Sequence, residues 1–504
     1  MNLRAHPKRE KLLASALLLL GCALRLAWLG ALPYGLNQDE ASAGYEALAL
    51  LRSGMDRNGN AWPVLFVSWG SGQNVLMSYL AMPFVALFGL SEVTVRLPNA
   101  IAGCLSLPVF WLLARKARGP GFGLTALALL ALNPWHIMAS RWALESNLLP
   151  FFLLAGVWLV GEAKQKPWAL AGAGAAFGLS LYAYGAAFFF LPPFLLWALL
   201  WLRKSLRPAP ALTAAGLFAL LALPIAACQA LNVLGWEGVR VLGLTLPRLT
   251  EGRQAAVSVF GGAKPEENFR ELLRILWKQN DGLIWNALPL WKGGLFYFFG
   301  LPAAVAGFFA SLFLRKDHPE EAPLRAALLC ALLCAFLIRC NINRVNMLWL
   351  PMVYFSALGV WPLLSRQGKL AALPALGVAA CALVFCYSYV LAFGGEGNPN
   401  FFPGLGGAIR AAEALGAERV YVTDYVNQPY SFVLFYTAPP PEEFIETVEY
   451  HDPRAAFRRV ERFGGWEFEA PAGCGLLVLH AGEAGAREIL ARSGAYVVCK
   501  GDGP

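Results

Sequence analysis

Charge is scarce in this chain: only 14% of its 504 residues are Asp, Glu, Lys or Arg, whereas soluble globular domains carry roughly 25%. That shortage, with 58% hydrophobic residues and a mean hydropathy of +0.51, excludes an ordinary soluble fold. Apolar runs recur from end to end, and runs of about 20 residues cross bilayers as helices. Metal-ligand spacing is missing too. Among the ten cysteines, Cys22, Cys104, Cys228, Cys340, Cys381 and Cys386 sit in or beside apolar runs as small hydrophobes. Cys330 and Cys334 lie one helical turn apart with no histidine nearby. No repeat of fixed period is visible, and the glycine-rich runs GPGFG at 119–123 and GAGAAFG at 172–178 lack the strand-to-helix surroundings of a dinucleotide site. Gly174 and Gly178 instead suit close helix packing. The net charge of +9 does not point to nucleic acid, because Lys and Arg fall in short clusters between apolar runs, where they signal topology. No small-residue cleavage site follows at Leu32-Pro33-Tyr34, so the first run is read as a retained span.

The pattern is that of a multi-pass membrane protein. Spans are expected over about residues 11–32, 94–114, 121–138, 148–161, 168–185, 186–202, 209–232, 293–314, 324–339, 345–364 and 370–392. Residues 73–90 are the ambiguous element, barely long enough to cross. The positive-inside rule resolves it: if 73–90 lies along the outer surface, the Lys and Arg of short loops gather inside, at Arg4, Lys8, Arg9, Arg115, Lys116, Arg118, Lys164, Lys166 and Arg203 among others. The flipped alternative puts most of them outside. About 11 spans follow, with the N-terminus in the cytoplasm and outer interfacial helices. A spanning domain over 1–393 then carries an outer loop at 33–93 and a lid-like outer loop at 233–292, in which ENFRELLRILWKQN reads as an amphipathic helix. Residues 394–504 return to ordinary soluble composition. RVYVTDY and GLLVLH read there as short strands alternating with helical AFRRVERF and AREILARS, a small α/β domain outside the membrane. Cys474 and Cys499 lie in it, where a disulfide is chemically allowed.

This topology brings a set of polar groups to the outer surface. Asp39 and Glu40 open the first outer loop, and Asn37 or Asp39 can cap the helix suggested by AGYEALALLRSG. Arg141 and Glu145 fall in the next outer turn, Tyr182 and Tyr184 end a span on the same side, and Arg339, Asn341, Asn343, Arg344 and Asn346 crowd a short turn, IRCNINRVN. Charges at this depth are costly unless paired and usually mark a pathway or a site. Two arginines interleaved with asparagines suit phosphate, which arginine binds bidentately and amides contact as neutral donors. The plain alternatives are headgroup snorkelling for the arginines and a structural i,i+4 pair for Arg141 and Glu145.

The run DEASAGYEALALLRSGMDRNGNAWP, then VRLPNAIAGCLSLPVFWLLARK and NPWHIMASRWALESN, resembles the membrane glycosyltransferases of the protein O-mannosyltransferase superfamily. These include the bacterial aminoarabinose transferases and the related family 39 enzymes, all of GT-C fold. The likeness covers about residues 10–395 and is strongest at the acidic pair and at RLPNAIAG. It implies a polyprenyl-phosphate-linked sugar as donor and chemistry at the outer face, with Asp39 as catalytic base, Glu40 beside it and Glu145 as a second acidic group. The Lys-Pro-Pro or His-Pro-Pro stretch that family members often carry is replaced here by WGSGQNVL. Donor contacts of that motif therefore do not transfer, and Ser71, Gln73 and Asn74 are the residues left in its place.

Arg141, Tyr182, Tyr184, Arg339, Asn343, Arg344, Gln73 and Asn74 are thus the candidate substrate-binding residues. No obligatory cofactor is expected, since His136, His451 and His480 have no ligand spacing to the acidic pair, although a divalent metal could share the phosphate role. The expected partners are the polyprenyl-phosphate sugar, a glycan, lipid or protein acceptor, and membrane lipid. A transporter of lipid-linked glycans is the competing class. Transporters place charges at mid-membrane or on paired broken helices, whereas here charges collect at span ends. A non-catalytic glycolipid receptor is the third reading.

Overall fold

Helices form where the apolar runs lie, and they stop where Pro, Gly or clustered charge interrupts them. The structure, a computed structural model, describes residues 7–250, 258–281, 288–365, 372–395, 398–455 and 457–503. In chain order the helices are α1 (Pro7–Leu26), α2 (Gln38–Ser53), α3 (Leu76–Phe88), α4 (Glu92–Arg118), α5 (Pro120–Ala131), α6 (Pro134–Ser140), α7 (Leu149–Glu162), α8 (Ala169–Ala183), α9 (Ala187–Leu202) and α10 (Pro208–Leu234). They continue with α11 (Pro265–Lys278), α12 (Gly300–Phe313), α13 (Ala322–Leu337), α14 (Trp349–Leu364), α15 (Ala372–Phe393), α16 (Leu405–Leu415), α17 (Pro429–Thr437) and α18 (Pro441–Thr447).

A helix stands at each expected span, but among the described residues four of them, α4, α10, α15 and the 346–364 stretch containing α14, are long and apolar enough to cross a membrane alone; a fifth follows if the bent pair α5–α6 counts as one span. Helices such as α8 and α12 fall short of the roughly 20 residues a span needs, whereas α1 has 20 residues but carries charge at both ends. The first helix ends at Leu26, earlier than the run 11–32 suggested. The run 121–138 is broken by 58° between α5 and α6, where Pro134 supplies no N–H and Asn133 caps α6 by accepting from the His136 amide. Helix α3, at 13 residues, is about 20 Å long and so too short to cross.

The chain divides into two compact units. One holds Met1–Ala27, Asn99–Pro224 and Gln254–Ser388. Its tightest pairing is α12 with α14, made possible at Gly307 and Gly359, where a Cβ would collide with the backbone carbonyls of Phe355 and Ala303. Gly174 of α8 meets the backbone of Ala214 in α10 in the same way. The guanidinium of Arg25, fully buried, donates to Gly21 O, Leu130 O and Ala131 O and contacts His136 Nδ1. It thereby satisfies carbonyls freed where α5 ends.

The other unit holds Trp28–Pro98, Ile225–Arg253 and Tyr389–Pro504. A short hairpin pairs β1 (Val239–Val241) with β2 (Leu244–Leu246), so the stretch 233–292 is split between the two units, and its residues 251–257 and 282–287 lie outside the described residues. The remaining strands are β3 (Val420–Val422), β4 (Glu449–Tyr450), β5 (Val460–Phe463), β6 (Trp466–Glu467), β7 (Leu476–His480), β8 (Ile489–Ser493) and β9 (Tyr496–Lys500). They form one mixed sheet in the order β4-β5-β6-β3-β7-β9-β8, with β3 parallel to both β6 and β7. RVYVTDY and GLLVLH supply strands as expected. AFRRVERF and AREILARS do not supply helices: each ends in a strand, β5 and β8. The sequence signals of pairing are the two-residue connections Gly464-Gly465 and Gly494-Ala495, which close hairpins in register with β6 and β9. Cys474 and Cys499 are buried with Tyr421, Leu477, Leu479 and Val497 and are both free thiols.

Candidate active site

Helix α2 carries the acidic pair on its first turn, and its start is fixed by local chemistry. Asn37 accepts from the Asp39 amide at 3.1 Å, and Glu40 Oε2 accepts from the Asn37 amide at 3.0 Å, a reciprocal capping box. The expected cap is therefore Asn37. Glu40 is fully buried and held bidentately by Arg96, with Nε to Oε1 at 2.9 Å and Nη2 to Oε2 at 3.0 Å. The same guanidinium donates to Leu29 O, Pro33 O and Gly35 O, so Arg96 ties the whole entrance of the loop to α2. A buried charge needs such complete pairing. Asp39, by contrast, is half-buried at the open end of the helix, where the helix dipole favours its negative charge. The two members of the pair therefore differ in place: Glu40 is locked within the loop, and Asp39 borders solvent.

Behind Asp39 runs a closed polar network. Gln73 Oε1 accepts from Ser42 at 3.1 Å and from Ser68 at 2.8 Å, and Arg57 donates to both hydroxyls. Arg57 Nε also lies 3.2 Å from Glu46 Oε1. Burial pushes the Glu46 carboxyl up to about 7, a rise that Arg57 limits and Asp56 adds to. Asp56 is also raised by burial, against the hydrogen bonds it receives from Asn58 and Asn60. Gln73 is thus placed directly under the acidic helix. Asn74 is buried beside it in sequence, and the WGSG loop before them is closed by backbone bonds in both directions between Phe66 and Gln73.

The other unit holds the remaining candidates. Arg141 is buried and donates to Leu24 O and Ala27 O, carbonyls at the C-terminal end of α1 where a cation is favourable. Glu145 is 8% exposed on the single 3-10 turn Glu145–Asn147. Tyr182 and Tyr184, both half-buried, flank the end of α8. Arg339 is exposed, and Asn343 and Arg344 are half-buried in the turn between α13 and α14. The structure joins this turn to the Glu145 turn: Asn346 Nδ2 donates to Ser146 O at 3.1 Å and to Asn147 Oδ1 at 3.0 Å, and Trp135 Nε1 donates to Asn346 Oδ1 at 3.2 Å. Asp281, just past α11, accepts from the Ile342 amide at 3.0 Å.

Sequence reasoning missed Arg96, Arg57 and Arg25. Arg96 and Asn99 stand in the RLPNAIAG segment singled out above, where neither was given a role; Asn99 in fact donates to Trp142 O and Leu144 O. Among the described residues, one group of three His, Cys, Asp or Glu side chains comes within metal-binding reach, His451 with Glu461 and Glu469, and it does not include Asp39, Glu40 or Glu145.

Residues 72–227 match the model of the dolichyl-phosphate-mannose-protein mannosyltransferase family. The chain superposes on ArnT from Cupriavidus metallidurans with a TM-score of 0.55 in its apo state and 0.56 in its complex with undecaprenyl phosphate, at 13% identity and 98% coverage of each chain. The fold is GT-C. A second GT-C neighbour is the Archaeoglobus fulgidus oligosaccharyltransferase in complex with Zn and sulfate, at a TM-score of 0.53 and 15% identity; the match covers 84% of this chain and 61% of that one. No curated protein sequence matches the chain. The GT-C assignment carries the helical architecture and the C-terminal sheet region together, because the ArnT superposition spans nearly the whole of both chains.

Proposed function

We propose that the protein is a membrane glycosyltransferase that moves a sugar from a polyprenyl-phosphate carrier to an acceptor hydroxyl at the outer face of the membrane. The observation that carries this reading is the division of labour in the acidic pair. Glu40 is neutralised and immobilised by Arg96, leaving Asp39 half-buried at a rigid helix N-terminus. A general base must be ionised, positioned and within reach of solvent-borne substrate, and Asp39 is the member of the pair assigned to that role. The acceptor hydroxyl attacks the anomeric carbon as Asp39 takes its proton, the bond to the phosphate oxygen breaks, and configuration inverts. Prenyl phosphate leaves as an anion and needs charge stabilisation rather than a proton. Arg339 and Arg344, with Asn343 between them, are the residues proposed to provide it. Gln73 and Asn74 stand where the family's donor-contacting motif is replaced. Arg141, with its donors on α1 carbonyls, is proposed to position the Glu145 turn, and Tyr182 and Tyr184 to line the sugar.

The wider architecture belongs to the same proposal: about 11 spans, a cytoplasmic N-terminus, residues 394–504 as an outer domain, and the 233–292 stretch as a cover over the site. A divalent metal is not required by this scheme. Native mass spectrometry of the purified protein with a panel of polyprenyl-phosphate sugars tests it. Wild type is expected to yield free polyprenyl phosphate. Asp39→Asn is expected to retain intact donor, with turnover down by about 10²–10⁴, the range of general-base catalysis. Chelation with EDTA is expected to leave wild-type turnover unchanged. Equal turnover by wild type and Asp39→Asn would refute the base assignment; no donor binding by either would refute the phosphate site.

A further inference from the structure

The unit that carries α2 also contains a cleft in its mixed sheet that the proposed chemistry does not use. It has a volume of about 160 Å³, far above the roughly 10–15 Å³ that one water needs. It opens at the carboxyl edge of the parallel strands β3 and β6: Asp424, Asn427 and Gln428 follow β3, Phe468 follows β6, and Arg459 precedes the antiparallel neighbour β5. Crevices outside the carboxyl ends of parallel strands are where open α/β sheets take ligands.

Three features mark it as built to hold something. Gln428 is only 7% exposed, and the exposed side chains of Asp424, Asn427 and Arg459 surround it with a carboxylate, an amide and a guanidinium. Gln428 also adopts a left-handed backbone conformation, φ 54°, which a side chain bearing Cβ enters only at a cost. The walls are aromatic. Tyr430 lies under the Arg57 guanidinium at 5.4 Å, and Phe457 packs on Trp69 at 5.8 Å between centroids. The Arg458 amide donates to Trp69 O at 2.7 Å. One wall is thus fastened to the network under Asp39, the other to the loop that precedes Gln73.

We propose that this cleft binds one pyranose ring of a glycan. A sugar ring presents several hydroxyls, each donor and acceptor, beside C–H faces that pack on aromatic rings. The cleft offers an acceptor-only carboxylate, a donor-only guanidinium and two amides that do both, with the exposed ring of Phe457 beside them. An acyl chain would leave the four polar groups unsatisfied, and an anion would meet the Asp424 carboxylate. On the glycosyl-transfer reading above, on which this last step rests, the glycan is the acceptor, held by the same unit that carries the base.

The test is saturation-transfer NMR on the full chain in lipid nanodiscs, since maltoside detergents are themselves saccharides. The probes are methyl α-mannopyranoside, methyl β-glucopyranoside and methyl β-galactopyranoside, with inorganic phosphate as competitor. At least one pyranoside is expected to show transfer that phosphate does not displace. Phe457→Ala and Gln428→Gly are each expected to raise its Kd roughly tenfold or more, the size of one lost aromatic face or buried polar contact. Gln428→Gly relieves the left-handed residue, so its loss of binding with thermal stability kept cannot be put down to misfolding. Transfer from none of the three sugars, transfer unchanged in both variants, or displacement by phosphate would each overturn the proposal. Asp39→Asn separates the two readings: it should bind the pyranoside as wild type does while failing to consume donor. Donor turnover by a wild type that binds no pyranoside would overturn the cleft proposal and leave the transferase reading standing.

Discussion

Arg96 spends its donors on five oxygens, two from Glu40 and three from backbone carbonyls of residues 29–35. Removing one partner of such a buried pair leaves the other charge stranded, at a cost of roughly 3–5 kcal/mol. Arg96→Ala is therefore expected to lower the thermal midpoint sharply and to abolish turnover. Arg96→Lys, which keeps the charge but not the fork, should also fail to restore the wild-type midpoint. Asp39→Asn should leave the midpoint close to wild type while removing turnover. Comparable midpoints for Arg96→Ala and wild type would show that the clamp does not organise the loop. Arg96 was visible in the sequence only as one more basic residue at a span end. Nothing local links it to Glu40, 56 positions away, and pairing over that distance is set by tertiary packing rather than by any pattern of neighbours.

At the scale of elements, the underside of α2 is where pH should act. Burial holds the Glu46 carboxyl near 7 against a usual value of 4.5, so the folded state binds this proton more tightly than the unfolded state. The stability that proton contributes is fully present below about 4.5 and is lost as pH rises through about 7. Asp56, also raised, acts in the same direction, while Arg57 and the phenols of Tyr45 and Tyr430 keep their protonation across this window. The midpoint of this unit is expected to fall from pH 5 to pH 8, and Glu46→Gln, which cannot ionise, should show a shallower slope. An unchanged slope in Glu46→Gln would remove Glu46 as its source. Elements were also where reading the sequence succeeded and failed most clearly. Apolar runs located every long helix because a span's signal is its own composition. AFRRVERF and AREILARS misled because charged residues at helical spacing also suit a strand near the edge of a sheet. There the partner strand, met through Gly464-Gly465 or Gly494-Ala495, decides the conformation. The break at Pro134 was passed over when 121–138 was read as one span, and the carbonyls it frees are satisfied by Arg25, which lies more than a hundred positions away.

For the whole molecule, the clustering of Lys and Arg makes a prediction independent of any site. With the N-terminus inside and about 11 spans, alkaline phosphatase fused after Pro504 should be active, and fused at Lys164–Lys166 inactive, in intact cells. The reverse pattern would make residues 73–90 a span and move Asp39 away from Arg339 and Arg344 across the bilayer, which would end the proposed mechanism. The candidate site was legible to the extent that its polar residues stand at the ends of helices. The cleft at β3 and β6 was not, because it is made of residues from three separate turns that only the sheet order brings together.

The two cysteines of the C-terminal sheet give this protein a built-in clock. Cys474 and Cys499 are free, buried, and pushed up by that burial, so in the closed sheet little thiolate meets a reagent. Alkylation there proceeds only when the strands part. Peptide-resolved labelling with iodoacetamide should modify both slowly and in step. Its rate, raised by denaturant and lowered by any sugar that seats at the carboxyl edge of β3 and β6, would measure how often that sheet opens.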